Sequence, residues 1–412
     1  MQKTKSDLIP VVLITCLFFL WGFANNLVPI LIPHLKKSFT LTTTQSTLVD
    51  SAVYIAYFFM ALPAGLIMKR FGYKMGIIIG LLLFALGAFL FVPAADNQSY
   101  VYFLFASFVI ACGLTILETA ANPYASALGD PASSTQRLNL AQSFNGLAAF
   151  VAPLIGAKVI FTEGNSPETL NAMTDSVRQA ALASEASTVK MPYTILGIVL
   201  LIIAVLFYLV KLPDIRAKNI QSNKATVLGT FSHSHLRWAV IAQLFYVGAQ
   251  VCVLSLFILF ATESAGVNQF QAAQFLSFGT LAFLIGRFTG TFLMNYIAPN
   301  KLLTAYGIMA AILCSVAIAT HGMLTIYALI GICFFMSIMF PTIFSLGIKE
   351  LGTDTEMGSS LIIMAIAGGA VLPRIFGLIS DATGNIQMGY IVPLVAFVVV
   401  AYFGWKGSAV KE

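Results

Sequence analysis

The sequence predicts an all-α membrane protein of twelve transmembrane helices in two six-helix halves. Hydrophobic residues make up 59% of the 412 residues, charged residues only 9%, and the mean hydropathy is +0.91. A soluble globular domain carries roughly 25% charged residues, so this composition excludes that class. Apolar runs of about 20 residues, the length that crosses a bilayer, recur along the whole chain. The predicted spans are 8–34, 44–68, 74–95, 100–128, 138–161, 191–211, 236–261, 267–296, 302–320, 323–348, 358–380 and 388–405.

The basic residues of the loops predict the orientation, because Lys and Arg are retained on the cytoplasmic side. With the N-terminus inside, the outer loops hold mainly Lys36, Lys37, Arg178 and Lys190. The asymmetry predicts that both termini are cytoplasmic. The net charge of +6 and the pI near 9.0 follow from this bias, so we expect no nucleic-acid partner. The cytoplasmic face then holds Lys3, Lys5, Lys69, Arg70, Lys74, Arg137, Lys211, Arg216, Lys218, Lys224, Arg237, Lys301, Lys349, Lys406 and Lys411.

A polar segment divides the chain near its middle. The stretch PDIRAKNIQSNKATVLGTFSHSH has six predicted spans on either side and is typical of a linker. We therefore expect an N-terminal half at 1–212, a cytoplasmic linker at 213–235 and a C-terminal half at 236–412. A second polar insertion, at 162–190, predicts an outer loop with a short amphipathic helix. The first 30 residues lack a small-residue cleavage site, so we expect the first helix to remain as a span.

The chain lacks the sequence signatures of a membrane-embedded enzyme. It contains no H-E-x-x-H motif, no phosphate-binding loop and no nucleophile with a matching base, so we expect no enzymatic activity. All five cysteines fall within predicted spans at no metal-ligand spacing. We expect them to pack as small apolar residues, and we expect no metal or cofactor.

Two acids lie deep inside apolar spans, whereas the other acids lie mainly in connecting loops. They are Asp50 in span two and Glu118 in span four. An acid at the bilayer centre costs about 2.5 kcal/mol or more, so such a residue usually faces an ion or substrate path lined by protein. The two acids therefore indicate an ion-coupled carrier, and both are candidates for cation coupling.

Amides and hydroxyls recur at helical spacing inside the spans. Gln142 and Asn145 are three residues apart, as are Gln243 and Tyr246, so each pair shares one helix face. Such groups can bind sugar hydroxyls, and as a set they indicate a neutral polyol or sugar. A single amide can instead join two membrane helices by a hydrogen bond. The candidate substrate-binding residues are Asn26, Asn122, Asn139, Gln142, Asn145, Gln243, Tyr246 and Gln250.

The basic residues give no indication of an anionic substrate. No cluster of Lys or Arg lies within the predicted spans. Arg137 and Arg287 are expected at cytoplasmic helix ends, and Arg374 is the ambiguous exception. A neutral substrate is the simpler interpretation.

Eight motifs, spread over both halves, match a known pattern. They are FFLWGFANNL (18–27), ALPAGLIMKRFGYK (61–74), LETAANP (117–123), RLNLAQSFN (137–145), RWAVIAQLFYVGAQ (237–250), GRFTGT (286–291), FPTIFSLGIKELG (340–352) and SDATGN (380–385). These motifs resemble the major facilitator superfamily and, within it, the fucose–galactose–glucose:proton symporter family. The resemblance covers nearly the whole chain and implies the major facilitator fold. It also implies symport of a sugar with a cation by alternating access of the two halves.

The loop between spans two and three resembles the gating signature of the superfamily. Gly65 permits close helix approach and Gly72 a tight turn, while Arg70 and Lys74 can bind helix C-terminal carbonyls or anionic lipid. Lys69 stands where many members carry an acid. The alternative is a loop that is basic only because it is cytoplasmic.

The resemblance separates the roles of the two acids. Glu118 matches a residue that is protonated and deprotonated in the sugar cavity of the family, and Asn122 lies one turn away on the same helix face. The family's second acid, late in span one, is replaced here by Pro29. Asp50 stands where the family pattern has a neutral amide, and we expect it to take over part of the missing acid's role. It could instead close an outer gate or bind sodium with nearby carbonyls.

The resemblance therefore implies an importer of a hexose or deoxyhexose, with L-fucose favoured and protons as the coupling ion. The alternatives are a sodium-coupled symporter of glucose, galactose or N-acetylglucosamine, and an uncoupled facilitator or exporter of the same fold. We expect a monomer, surrounded by lipid, in the inner membrane of a bacterium.

Overall fold

The computed structural model describes residues 5–25, 48–160, 189–210 and 227–410, together with 173–174, 177 and 187. All regular structure in these residues is helical. Short helical turns lie at Pro131–Ser133, Val227–Thr230, Gly352–Asp354, Ala365–Ala367, Ile386–Gly389 and Phe403–Gly407. The longer helices are α1 (Lys5–Asn25), α2 (Leu48–Asp96), α3 (Tyr100–Ala127), α4 (Ser134–Ile160), α5 (Lys190–Leu209), α6 (Ser234–Ser255), α7 (Phe257–Ala265), α8 (Gln269–Leu293), α9 (Pro299–Ala319), α10 (Met323–Met336), α11 (Met339–Gly347), α12 (Thr355–Met364), α13 (Gly368–Thr383) and α14 (Ile391–Tyr402).

Each of the twelve predicted spans overlaps helix in the described residues, which confirms the all-α membrane class. Nine helical stretches of the described residues are long and apolar enough to cross a membrane. One of them, α2, contains spans two and three, which meet at Gly72. The end of span one (26–34) and the start of span two (44–47) lie outside the described residues.

Gly72 turns the chain between spans two and three. Its φ is 82° and its ψ is 169°, so the helical conformation of α2 is interrupted there. Side chains with a Cβ avoid this positive φ, whereas glycine adopts it readily. The tight turn expected at Gly72 is therefore present.

Glycines bring α3 close to the second part of α2. A Cβ at Gly80 would lie 3.0 Å from the carbonyl oxygen of Gly113 and 3.0 Å from the backbone nitrogen of Leu117. A Cβ at Gly113 would lie 2.5 Å from the backbone nitrogen of Phe84. Small residues allow such close approach in membrane helix pairs. This interface holds the part of α3 that carries Glu118.

The chain forms two compact units, which do not follow the order of the sequence. One unit consists of Leu17–Ala120 and Leu147–Asp214. The other consists of Met1–Cys16, Ala121–Gly146 and Ile215–Glu412. The segment Ala121–Gly146 is therefore packed with the residues of the predicted C-terminal half. The division into halves at 1–212 and 236–412 stays a prediction.

The Gly113→Ala variant should destabilise the protein, because the added methyl group meets backbone atoms of α2 that cannot move aside. Overpacking of this kind costs about 1–3 kcal/mol. Thermal unfolding in detergent should show a lower midpoint than for the unmodified protein. Gly377→Ala is the matched control, since a Cβ there meets nothing within 4 Å. Equal midpoints for the two variants would contradict the tight α2–α3 interface.

Candidate functional site

A buried carboxyl group on α3 is bonded to a tyrosine on α2. The Tyr57 hydroxyl donates to Oε1 of Glu118 at 2.6 Å, and Glu118 is 6% exposed. In the described part of the chain, no Lys or Arg forms an ion pair with this carboxyl. A carboxyl with a neutral donor can hold or release a proton without leaving a partner cation unpaired. Glu118 therefore has surroundings that suit a proton carrier.

The second predicted acid cannot be placed beside Glu118. The backbone of Asp50 is part of α2, but the structure does not describe its side chain. Pro29 and Asn26 lie outside the described residues. The coupling role of Asp50 and the sugar-binding role of Asn26 therefore stay predictions.

Three of the predicted amides lie together on α3 and α4. The Gln142 side-chain amide donates to the Asn122 side-chain oxygen at 3.0 Å. The Asn139 amide donates to the Thr135 carbonyl at 2.9 Å and to the Thr342 hydroxyl at 3.1 Å. Their remaining atoms, Asn122 Nδ2 and Asn139 Oδ1, are buried without a partner among the described residues. These atoms can bind further hydroxyl groups.

Gln243 and Tyr246 on α6 are fully buried. Both polar atoms of the Gln243 side chain and the Tyr246 hydroxyl are without a hydrogen-bond partner among the described residues. Leaving a buried polar group unpaired costs about 1–3 kcal/mol. Water or a ligand with hydroxyl groups would remove this cost. Gln250 and Asn145 are partly exposed, and Asn145 has a partner within the protein.

Hydrogen bonds also join the start of α4 to α8, to the turn that follows α8, and to α11. The Thr135 and Ser345 hydroxyls are 2.9 Å apart, and the Gln136 amide donates to the Asn295 side-chain oxygen at 2.7 Å. Together with the Asn139–Thr342 bond, these contacts form what we call the polar junction. All of its residues belong to one compact unit.

Arg287 is a buried arginine near the C-terminal end of α8. It is 5% exposed and lies six residues before the end of that helix, and its expected cytoplasmic position stays a prediction. Its Nε donates to the Ser337 carbonyl at 2.8 Å and its Nη1 to the Gln142 carbonyl at 2.7 Å. The guanidinium also lies over the Phe283 ring, 4.6 Å from its centroid. The sequence offered one indication of this burial, since the motif GRFTGT places the arginine within a predicted span.

The loop between spans two and three contains a helix cap. Lys74 donates to the Tyr208 carbonyl at 2.9 Å and to the Val210 carbonyl at 2.8 Å, at the C-terminal end of α5. A cation is stabilised there by the free carbonyls of the helix end. Arg70 is exposed and stacks on Phe71, while Gly65 is buried. The gating role of these residues stays a prediction.

Comparison with known proteins gives the family. The family model described as "Major Facilitator Superfamily" matches residues 13–354. The chain belongs to the Major Facilitator Superfamily. Its membership of that superfamily and its long apolar helices make it a multi-pass membrane protein of the major facilitator fold.

Two curated superfamily relatives match along almost their full length. The chain is 43% identical to the L-fucose-proton symporter of Escherichia coli (strain K12), covering 97% of this chain and 93% of the relative. It is 39% identical to a glucose/galactose transporter of Brucella abortus biovar 1 (strain 9-941), covering 96% of this chain and 93% of the relative.

Solved superfamily structures match equally well. A structure of the E. coli fucose:proton symporter FucP has a TM-score of 0.92 and 41% identity, covering 98% of this chain and 100% of that chain. A FucP structure described as being in the outward conformation has a TM-score of 0.93 and 42% identity, with the same coverage. The resemblance drawn from the motifs is therefore confirmed.

The Tyr57→Phe variant should destabilise this superfamily member more at about pH 8 than at about pH 5, because a buried carboxylate loses more than a neutral acid when its donor is removed. The measurement is the thermal unfolding midpoint in detergent at both pH values. Tyr193→Phe is the control, since the buried Tyr193 hydroxyl has no partner among the described residues.

A double-mutant cycle tests the same hydrogen bond. Adding Glu118→Gln to Tyr57→Phe should remove the pH dependence of the destabilisation, because the amide does not titrate. A pH dependence that survives in the double variant would assign the effect to another group.

Proposed function

We propose that this protein is a cation-coupled symporter that imports a hexose or deoxyhexose with protons by alternating access. Relatives at 43% and 39% identity are named as a fucose-proton symporter and a glucose/galactose transporter, and they match almost the whole chain. L-Fucose is the favoured sugar, because the relative at 43% identity is a fucose symporter. We propose transport and no enzymatic activity.

The observation that carries the proposal is the buried Glu118–Tyr57 pair. A membrane protein retains a buried acid at a considerable cost in free energy, and such residues usually mark an ion path. Glu118 has a tyrosine donor and no ion-pair partner in the described part of the chain. It is therefore suited to take up a proton on one side of the membrane and release it on the other.

The buried amides support a neutral substrate with several hydroxyl groups. Asn122, Asn139, Gln243 and Tyr246 have buried amide or hydroxyl atoms that find no partner in the part of the chain that the structure describes. Sugar hydroxyls both donate and accept hydrogen bonds, so they can pair with all of these atoms. Gln142 holds Asn122 in place and is expected to act with it. We also keep Asn26, Asn145 and Gln250 as candidate sugar-binding residues.

Protons are the proposed coupling ion, and sodium is the alternative. The acid expected late in span one is replaced by Pro29, so Asp50 and the carbonyls near Pro29 could form an oxygen site for a hard cation. An uncoupled facilitator or exporter of the same fold is less well supported, since it has no use for a buried acid.

The cellular setting forms part of the proposal. We propose a monomer in the bacterial inner membrane with both termini in the cytoplasm, in contact with sugar and lipid and with no nucleic-acid partner. Lys74 and Gly72, with Gly65 and Arg70, are proposed to tether cytoplasmic helix ends during gating. The cap that Lys74 forms on α5 supports that role.

Transport in proteoliposomes tests the function. We expect L-fucose to accumulate against its gradient when an inward proton gradient is imposed, and accumulation to stop when that gradient is collapsed. D-Galactose, D-glucose and N-acetylglucosamine are compared under imposed proton and sodium gradients in turn. Accumulation driven only by sodium would select the alternative ion, and no sugar-dependent uptake under either gradient would refute the proposal.

The Glu118→Gln variant separates coupling from sugar movement. Uphill accumulation should fall to the equilibrium level while counterflow exchange of sugar continues, because the amide keeps the size of the side chain but cannot carry a proton. Glu263→Gln is the matched control, since Glu263 is exposed on α7. If Glu118→Gln still accumulated sugar under a proton gradient, Glu118 would not be required for coupling.

The Asp50→Asn variant tests the displaced acid. We expect weaker accumulation of sugar with a normal level of folded protein, because the amide cannot share the coupling charge. Uptake is measured under proton and sodium gradients separately, so the ion that loses its effect is identified. Normal transport with normal coupling in this variant would end the proposed role of Asp50.

A further inference from the structure

Arg287 is a buried cation whose hydrogen bonds go to a carbonyl on α4 and a carbonyl in the break between α10 and α11. Its Nε bonds to Ser337, which follows α10, and its Nη1 bonds to Gln142 on α4. In the described part of the chain no acid forms an ion pair with it. The cation is therefore held by backbone dipoles and by the face of the Phe283 ring.

The Ser337 carbonyl is available because of Pro341. In an unbroken helix the backbone nitrogen of residue 341 would donate to this carbonyl, but proline has no N–H. The helix breaks between α10 and α11 at this point. Gly286 lets α8 lie directly against the break, because a Cβ there would collide with the carbonyl of Phe334 and the hydroxyl of Ser337. The next residue, Arg287, is thereby placed beside the unpaired carbonyl.

Gly146 lies next to the Arg287 guanidinium on α4. A Cβ at Gly146 would lie 3.4 Å from Nη1 of Arg287, which is ordinary van der Waals contact. The absence of a longer side chain at this position leaves room for the guanidinium beside the Gln142 carbonyl.

One face of α8 changes from exposed to packed at Arg287. Ser277 and Thr280 are exposed, whereas Arg287 and Thr291 are buried, and the spacing places all four along the same side of the helix. One turn after Arg287 on α8, the carbonyl of Thr291 accepts a hydrogen bond from the Gln136 amide at 3.4 Å. Arg287 thus lies where the α4 segment begins to cover α8.

We propose that Arg287 is a positioning residue for transport, a latch that holds α4 against the α10–α11 break and stabilises the conformation in which the polar junction is closed. The hydrogen bond to Gln142 breaks when this junction opens. The hydrogen bond to Ser337 remains and holds the guanidinium next to the α10–α11 break. The inference rests on the proposed alternating access. The latch acts independently of pH between about pH 5 and pH 8, because neither an arginine nor a backbone carbonyl changes its charge there.

Spin labels on either side of the polar junction test the latch. Ala132→Cys and Lys349→Cys place labels at exposed positions before α4 and after α11. The background is Cys16→Ser, since the other four cysteines are buried. The distance distribution is measured in nanodiscs without sugar or ion gradient. In Arg287→Gln we expect an additional population at longer distance between the labels. In Arg287→Lys this population should be smaller than in Arg287→Gln, since the ammonium restores part of the hydrogen bonding.

Two further variants separate a latch from a role in folding alone. Pro341→Ala restores an N–H that competes for the Ser337 carbonyl, so it should also add the longer population while α8 keeps its arginine. Arg374→Gln removes an exposed arginine outside the polar junction and should leave the distribution unchanged. Unchanged distributions in folded Arg287→Gln and Pro341→Ala would overturn the proposal.

Transport kinetics give the second readout. Arg287→Gln should change the KM for sugar by less than about twofold and lower the maximal rate by about tenfold or more, with an unaltered pH profile. A shifted pH profile would assign Arg287 to coupling and overturn the latch. The distance measurement needs no substrate, so a longer population in a protein that transports no sugar would refute the proposed function and leave the latch standing.

Discussion

The structure depends on one constraint, that backbone N–H and C=O groups must be hydrogen-bonded within the protein when no water is available. Helices satisfy it along most of the described residues, and two places where they do not are used to join helices. Pro341 leaves the Ser337 carbonyl without its intrahelical donor, and α5 ends with free carbonyls near Val210. A cationic side chain from another helix reaches each of these two places, Arg287 at Ser337 and Lys74 at the end of α5. The same backbone chemistry therefore brings Arg287 and Lys74 to positions where helices are joined.

Buried side chains follow a second pattern, in which some polar groups are paired and others are left open. Glu118 is bonded to Tyr57 and belongs to one compact unit. Gln243 and Tyr246 belong to the other unit and have no partner among the described residues. Paired groups stabilise the fold they occur in, whereas open buried groups cost free energy unless something binds them. This difference is the physical reason for assigning coupling to Glu118 and sugar binding to the open amides.

The sequence predicted well the feature that depends on near neighbours, since the positive φ at Gly72 follows from a turn between two adjacent spans. It also predicted that Lys74 can bind carbonyls at the C-terminal end of a helix, but not that this helix is α5, whose end lies more than 130 residues away in the sequence. The contacts of Arg287 were not predicted because its partners are backbone carbonyls 50 and 145 residues away, and every residue has a carbonyl, so the residue types do not single these two out. Tyr57 was missed for a similar reason, since one tyrosine among fourteen has no spacing that points to Glu118.

The sequence by itself determined the membrane class, the positions of the spans and the family, because each depends on local hydropathy or on short motifs. It also singled out Glu118, since an acid in an apolar run is conspicuous without any structure. Only the tertiary structure decided which groups are paired with which: Glu118 with Tyr57, Gln142 with Asn122, and Arg287 with the carbonyls of Gln142 and Ser337. The reason is that a hydrogen bond between helices depends on distance and direction in space, which residue spacing along one helix does not specify.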